Sequence, residues 1–316
     1  MTARFASARV AIAALQVAVV ATGVFALTSL LPGDTAAVIL GERTTPERAA
    51  VLREQLGLDE PLTERFLEWV GKLLRGDLGT SLLTGTDVAT EVGRGLATTA
   101  LVSALALLIV VPLAALIGVV SGAREGSRLD RSLNGAVVLL NSIPEFALGL
   151  LLVGLFALQL GWLPATAAGL SGWSLTAQPA VLVLPVAVLV SKQLCALSRQ
   201  VRIGVADATR AEHAHHVRML GLPERTVLVK HVLPSALGPS VQQLARTVDG
   251  LLGGVVVVEA LFALPGLGTG FVDAVKARDL PLVQGHALVF ALTTIIANLV
   301  ADLVAHRLVP QREVLA

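Results

Sequence analysis

Six long, sparsely charged apolar runs constrain this chain more than any other feature. They fall at Val10–Leu31, Leu96–Val120, Leu133–Leu160, Ala180–Leu197, Leu237–Ala263 and Gln284–Leu308. A helix needs about 20 apolar residues to cross a hydrocarbon layer of roughly 30 Å. Within that layer only helices and closed barrels satisfy every backbone group. The runs therefore predict an all-α integral membrane protein of about six transmembrane helices, a single transmembrane domain over residues 1–316. Pro112 and Pro144 interrupt the second and third runs, which membrane helices tolerate. The composition, 54% hydrophobic and 15% charged, is too apolar for a water-soluble domain. A net charge of +1 gives no electrostatic case for nucleic acid. Cys195 is the single cysteine, so no intrachain disulfide forms. The first run exceeds the apolar region of a signal peptide and no small-x-small site closes it before Leu31-Pro32-Gly33-Asp34, so it reads as a retained helix.

Charge in the short loops sets the orientation. Arg4 and Arg9, the turn with Arg124, Arg128 and Arg131, the stretch after the fourth run and the C-terminal tail are all basic. Gly161–Pro179 has no charge, and the last outer loop has only Lys276 and Arg278 as basic residues. The positive-inside rule then puts both termini in the cytoplasm. Residues 35–94 fall outside. Two amphipathic helices are predicted there, one from Thr45, with Pro46 and Glu47 in its first turn, and one over Leu62–Leu74 with Phe66, Leu67, Val70, Leu73 and Leu74 on its apolar stripe. Trp162 follows an apolar run and suits either the membrane–water boundary or ordinary loop packing.

A basic island, Asp207–Pro239, lies within the expected cytoplasmic loop 198–236. It carries His213, His215, His216, Arg218, Arg225, Lys230 and His231. Gly221, Leu222 and Pro223 break it, because Gly ends a helix and Pro opens the next. Two short helices joined by a turn are expected, acting either as a docking surface or as a solvated loop. The three clustered histidines do not share one helical face, so no metal site is assigned. The chain has no GxxxxGK[ST] phosphate loop, since Gly71-Lys72 lacks the upstream Gly and the following Ser or Thr; it also has no HExxH and no GxSxG. The pattern is that of a membrane body with a docking loop, and no catalytic site or cofactor of its own is expected.

Several stretches together carry a resemblance. Gly221, nine residues, then His231-Val232-Leu233-Pro234 resembles the EAA loop of ABC-importer permeases. LREQLGLDEPL (Leu52–Leu62), LLRGDLGTSL (Leu73–Leu82), GWLPA (Gly161–Ala165), GGVVVVEALFALPGLG (Gly253–Gly268) and ARDLPLVQG (Ala277–Gly285) extend it over nearly the whole chain. These features are similar to the dipeptide/oligopeptide/nickel permease family in its first-permease branch. The resemblance implies half of a translocation pathway for peptides or related solutes such as nickel, haem or oligosaccharides. It also implies a second homologous permease subunit, two cytoplasmic ATP-binding subunits that carry the ATP and Mg, and an extracytoplasmic solute-binding protein. The alternative from another class is an ion-coupled secondary transporter, which calls for inverted repeats; none is visible. The chain departs from the family at the Glu-Ala-Ala position, where it has His215-His216-Val217, and at Met219-Leu220 and Glu145.

Three groups of residues are candidates for function. Ala211, Glu212, His215, His216, Arg218, Gly221, Leu222 and Pro223 form the expected ATPase-coupling elbow. Asn141, Ser142, Glu145, Gln243, Arg246 and Asp249 are polar groups at membrane depth, where such groups face a cavity or pair with one another. Arg246 and Asp249, three apart, either pair or line a path; Glu145 either meets a peptide ammonium or pairs with Arg246. Glu259, Pro265, Gly266 and Gly268 form either an outer gate or a tight external turn. Asp302 is expected to pair with Arg307 or with a neighbouring helix.

Overall fold

The computed structural model describes residues 3–30, 40, 44–55, 57, 59–236 and 238–308. The Leu31-Pro32-Gly33-Asp34 stretch, Leu237 and the residues from 309 onward lie outside the described residues. Apart from an isolated bridge between Thr80 and Asp87, regular structure among the described residues is helical. Helix α1 spans Ala3–Ser29, α2 Pro46–Gln55, α3 Leu62–Leu74 and α4 Val88–Ala123. α5 covers Arg128–Ser142, and α6 covers Glu145–Leu152 and continues as a π-helix through Gln159. α7 is Trp173–Ala177, α8 Ala180–Arg210 and α9 Glu212–Met219. α10 runs from Glu224 to Ala236 through a π-helical turn at Val227–Val232. α11 is Gly238–Phe262, α12 Leu267–Ala277 and α13 Leu280–Leu308. Among the described residues four helices are long and apolar enough to cross a membrane, or up to six if each of two bent pairs counts as one crossing.

The chain divides into two compact units. The first comprises residues 1–11, 100–264 and 296–316, and the second 12–99 and 265–295. In the first, α8 is the central helix. Leu184, Val188, Leu189 and Leu194 on it pack with Val102, Val110, Leu251, Val255, Val258 and Phe262 into one apolar core. The third expected span is not straight. α5 and the α6 segment meet at 98°. Ile143 is extended (ψ 126°), and Pro144 (φ −55°, ψ 145°) precedes the first residue of α6. The residue before a proline is pushed out of the helical region, so the run that composition reads as one span is broken here.

Two expected boundaries move furthest. α8 runs on to Arg210, well past Leu197, so the start of the expected cytoplasmic loop is helix. Val201, Val205 and Ala208 extend its apolar face and keep it packed. α4 begins at Val88 instead of Leu96, because Asp87 accepts the Thr90 amide (2.8 Å) and hydroxyl (2.7 Å) at its start. Those bonds hold the Asp87 carboxyl below the usual carboxylate range.

In the second unit Thr45 caps α2 weakly, accepting the Arg48 amide at 3.3 Å. Phe66 and Trp69 of α3 lie 5.2 and 5.7 Å, ring centre to ring centre, from Phe25 of α1. Leu67 and Leu74, expected on the apolar stripe of α3, are exposed. Asp279 is buried and caps α13 through the Leu282 amide. The same carboxylate accepts the Ser81 hydroxyl and longer bonds from the Leu82 and Leu83 amides, at 3.3 and 3.4 Å. The GTSL and ARDLP stretches, nearly 200 residues apart in sequence, therefore form one clamp.

Candidate functional site

The basic island folds as the predicted helix–turn–helix, and a core of its own holds it. Ala214 of α9 and Val227, Val232 and Ala236 of α10 are buried against Val201, Val205 and Ala208 of α8, with Val217 and Leu222 at the edge. α10 comes so close to α8 that a Cβ on Gly204 would overlap the Ala236 carbonyl oxygen, so only glycine fits there. Gly221 supplies the turn at φ +77°, a left-handed conformation that costs an L-residue about 1–2 kcal/mol. Its amide bonds the Arg218 carbonyl at 2.9 Å. Pro223 (φ −67°) starts the return helix, and its carbonyl accepts the Thr226 amide at 2.8 Å.

Arg218 ties the elbow together. Its guanidinium donates to the Thr209 carbonyl at 2.9 Å and to Glu224 at 2.8 Å. Glu212, His213, His215 and His216 point outward from α9, and Met219 and Leu220 at the tip are 75% and 65% exposed. Ala211 precedes α9, extended at ψ 148°. A cleft of about 380 Å³ opens beside the elbow, lined by Arg124, Thr209, Arg218, Glu224, Arg225 and Leu228 among others. No cluster of metal-ligating side chains occurs among the described residues, the three histidines included.

Sequence reasoning missed the clasp behind the elbow. Asp130 of α5 takes a two-pronged bond from Arg202 of α8, both contacts at 2.7 Å. It also accepts the Gly126 amide at 2.9 Å and the Asn134 side chain at 2.6 Å. Nearby, Glu125 pairs with Arg210. The turn that counted only as a run of arginines is thus bonded to α8 through its acids. An Asp and a Glu among those arginines were the available signal.

The candidate path residues are brought together only in part. Asn141 and Ser142 end α5, and Glu145 opens α6, half-buried and facing Gly254 of α11. Gln243 is half-buried on α11. Arg246 pairs neither with Asp249 nor with Glu145 among the described residues; Asp249 instead accepts Asn298 of α13 at 2.9 Å. Of the two readings of the three-residue spacing, the pairing is not made, because a helix supplies proximity while the neighbouring helix supplies the partner. Asp302 pairs with Arg9 of α1 at 3.0 Å. Lys192 and Gln193 of α8 were passed over. Lys192 donates to the Asn141 carbonyl at 2.9 Å, and Gln193 lies against Gly250. A lysine inside a 31-residue apolar helix was the signal.

Of the proposed gate, Glu259 is fully buried near the end of α11, and its carbonyl accepts the Leu264 amide at 2.9 Å. Pro265, Gly266 and Gly268 lie in the second unit. There the Gly266 amide donates to Thr269 and the Leu267 amide to Thr99, starting α12. This is a tight, bonded turn.

Two family models cover the chain. "Binding-protein-dependent transport system inner membrane component" matches residues 114–314, and "Binding-prot-dependent transport system membrane comp, N-term" matches residues 2–109. The chain belongs to this permease family. It is similar to the glutathione transport system permease protein GsiC of Salmonella typhimurium, 34% identical over 284 residues and 90% of both chains. The protein of that name from Escherichia coli O6:H1 is 32% identical over the same span. A putative peptide transport system permease protein of Brucella abortus (strain 2308) is 34% identical over 302 residues, 93% of this chain and 94% of that one. The chain is therefore a multi-pass inner-membrane permease component of a binding-protein-dependent ABC importer, and the family implies partner ATPase and binding-protein subunits.

Proposed function

We propose that this permease forms half of a translocation pathway for peptides, pairs with a second homologous permease, and is moved by two cytoplasmic ATP-binding subunits. Relatives whose names specify glutathione and peptide transport, alignable over nine-tenths of the chain, support peptide as the solute. The observation that carries the mechanism is the elbow. Its inner face is fastened to α8 by a core and by the hydrogen bond from Arg218 to the Thr209 carbonyl, and Arg218 also ties α9 to Glu224 of α10, while Met219, Leu220 and the histidines project outward. A partner seated on α9 therefore pushes on a rigid extension of α8. Nucleotide-driven closure of the ATPase pair reaches the membrane through that lever.

In this reading the elbow and both termini are cytoplasmic, an external binding protein delivers the solute, and ATP and Mg reside on the partner subunits. This chain carries no ATPase site of its own. Reconstituting it with its co-purifying subunits tests the proposal. ATP-dependent uptake of a labelled peptide by the full assembly, and none by this chain alone, is the expected result. Uptake by the chain alone along an ion gradient would overturn it, as would an elbow modified only by reagents added outside the cell.

A further inference from the structure

We propose that Lys192 and Glu145 form a charge-recognising belt in the solute path, with Lys192 taking the solute's carboxylate and Glu145 its ammonium. The inference rests on the peptide-permease reading and adds which end of the solute each charge holds.

Lys192 lies about 18 Å along α8 from its Ala180 end, at 1.5 Å per residue, which is roughly the middle of a hydrocarbon layer. Charged groups at that depth are costly in lipid and face a cavity or a partner. The ammonium donates to the Asn141 carbonyl at the end of α5. The break before Pro144 leaves the last carbonyls of that helix without intrahelical donors. Gln193 and Glu145 lie over one face of α11. A Cβ on Gly250 would touch the first, and one on Gly254 the second. Those glycines are four residues, or about 6 Å, apart. Asn141, Lys192, Gln193 and Glu145 thus gather within about a turn of each other at one depth.

The two opposite charges are not spent on each other: no ion pair joins Lys192 to Glu145 among the described residues. Separated charges held at one level complement a zwitterion, whose own charges are also separated. The face of α8 that carries Lys192 continues the pattern. Lys192 is half-exposed, and Ala196, Arg199 and Ile203, at spacings of four, three and four, are exposed on the same stripe. A carboxylate released by Lys192 meets Arg199 about 10 Å further toward the elbow.

The test uses the complete transporter in proteoliposomes and one tripeptide in two forms, with a free C-terminal carboxylate or a C-terminal amide. Lys192→Met is expected to lower uptake of the free acid by roughly ten- to a hundredfold, as loss of a charge-assisted hydrogen bond does, and uptake of the amide by less than about threefold. Lys192→Arg keeps the preference for the acid. Equal losses for both forms, or no loss, overturn the assignment and leave Lys192 as a cap for the Asn141 carbonyl.

A second measurement does not depend on the solute. Lys192→Cys in a Cys195→Ser background is treated with an anionic methanethiosulfonate reagent, with and without ATP. Labelling is expected. If the wild-type assembly moves neither peptide while the cysteine is labelled, the peptide reading fails and the charged path stands. A cysteine unlabelled in both states overturns the path assignment whatever the solute.

Discussion

Removing Arg202 should destabilise this permease more than removing Asp130, and neutralising Asp130 as well should then restore stability. The asymmetry follows from burial. The Asp130 side chain is 3% exposed and Arg202 24%. Arg202→Met strands a carboxylate away from water, with only the Gly126 amide and Asn134 to hold it. Breaking a buried pair in that way costs about 3–5 kcal/mol. Asp130→Ala leaves a long guanidinium that can swing to water, and the loss is that of its hydrogen bonds, about 1–3 kcal/mol. Asn at position 130 can still accept from Gly126, so Asp130→Asn added to Arg202→Met removes the stranded charge without opening a hole. Cys195, the only thiol and packed against the main core, is a built-in reporter. Its reaction with a maleimide dye on heating the purified chain gives a midpoint. Arg202→Met should lower that midpoint by on the order of 6–10 °C. Asp130→Ala should lower it by less, and the double variant should recover at least half of the loss. A double variant less stable than Arg202→Met alone would refute the reasoning, since it would mean that no charge was stranded.

Three further outcomes are expected. Gly221→Glu should abolish uptake while membrane insertion persists, and Gly221→Asn should stay near wild type; the space around a Cβ there is open, so the cost lies in the φ of +77° and in the docking face. Gly204→Ala should loosen α10 from α8 at a cost of about 1–3 kcal/mol, read as faster proteolysis within the elbow. Asp279→Ala should release the Ser81 clamp, read as faster amide exchange at Leu82, Leu83 and Leu282, with elbow protection unchanged.

Much of the elbow was legible in the sequence because its signals are local. Gly221 must turn and Pro223 must start a helix whatever surrounds them, and the spacing to Leu233-Pro234 is counted along the chain. The membrane class was legible for the same reason, since twenty apolar residues in a row have few other places to go. Where helices end was less so. α8 continues past Leu197 because the island folds back to cover Val201 and Val205, and the third run bends where Pro144 holds Ile143 out of the helical region. Charge partners were the least legible. Arg246 and Asp249 are neighbours on one helix, yet Asp249 bonds Asn298 across a helix interface; Asp130 meets Arg202, and Ser81 meets Asp279, over great sequence distance. Sequence alone determines which segments are helical and apolar, because backbone hydrogen bonds and transfer free energy act residue by residue. Only tertiary packing decides which polar side chains meet, because a buried charge binds whatever donor the neighbouring helix brings within 3 Å.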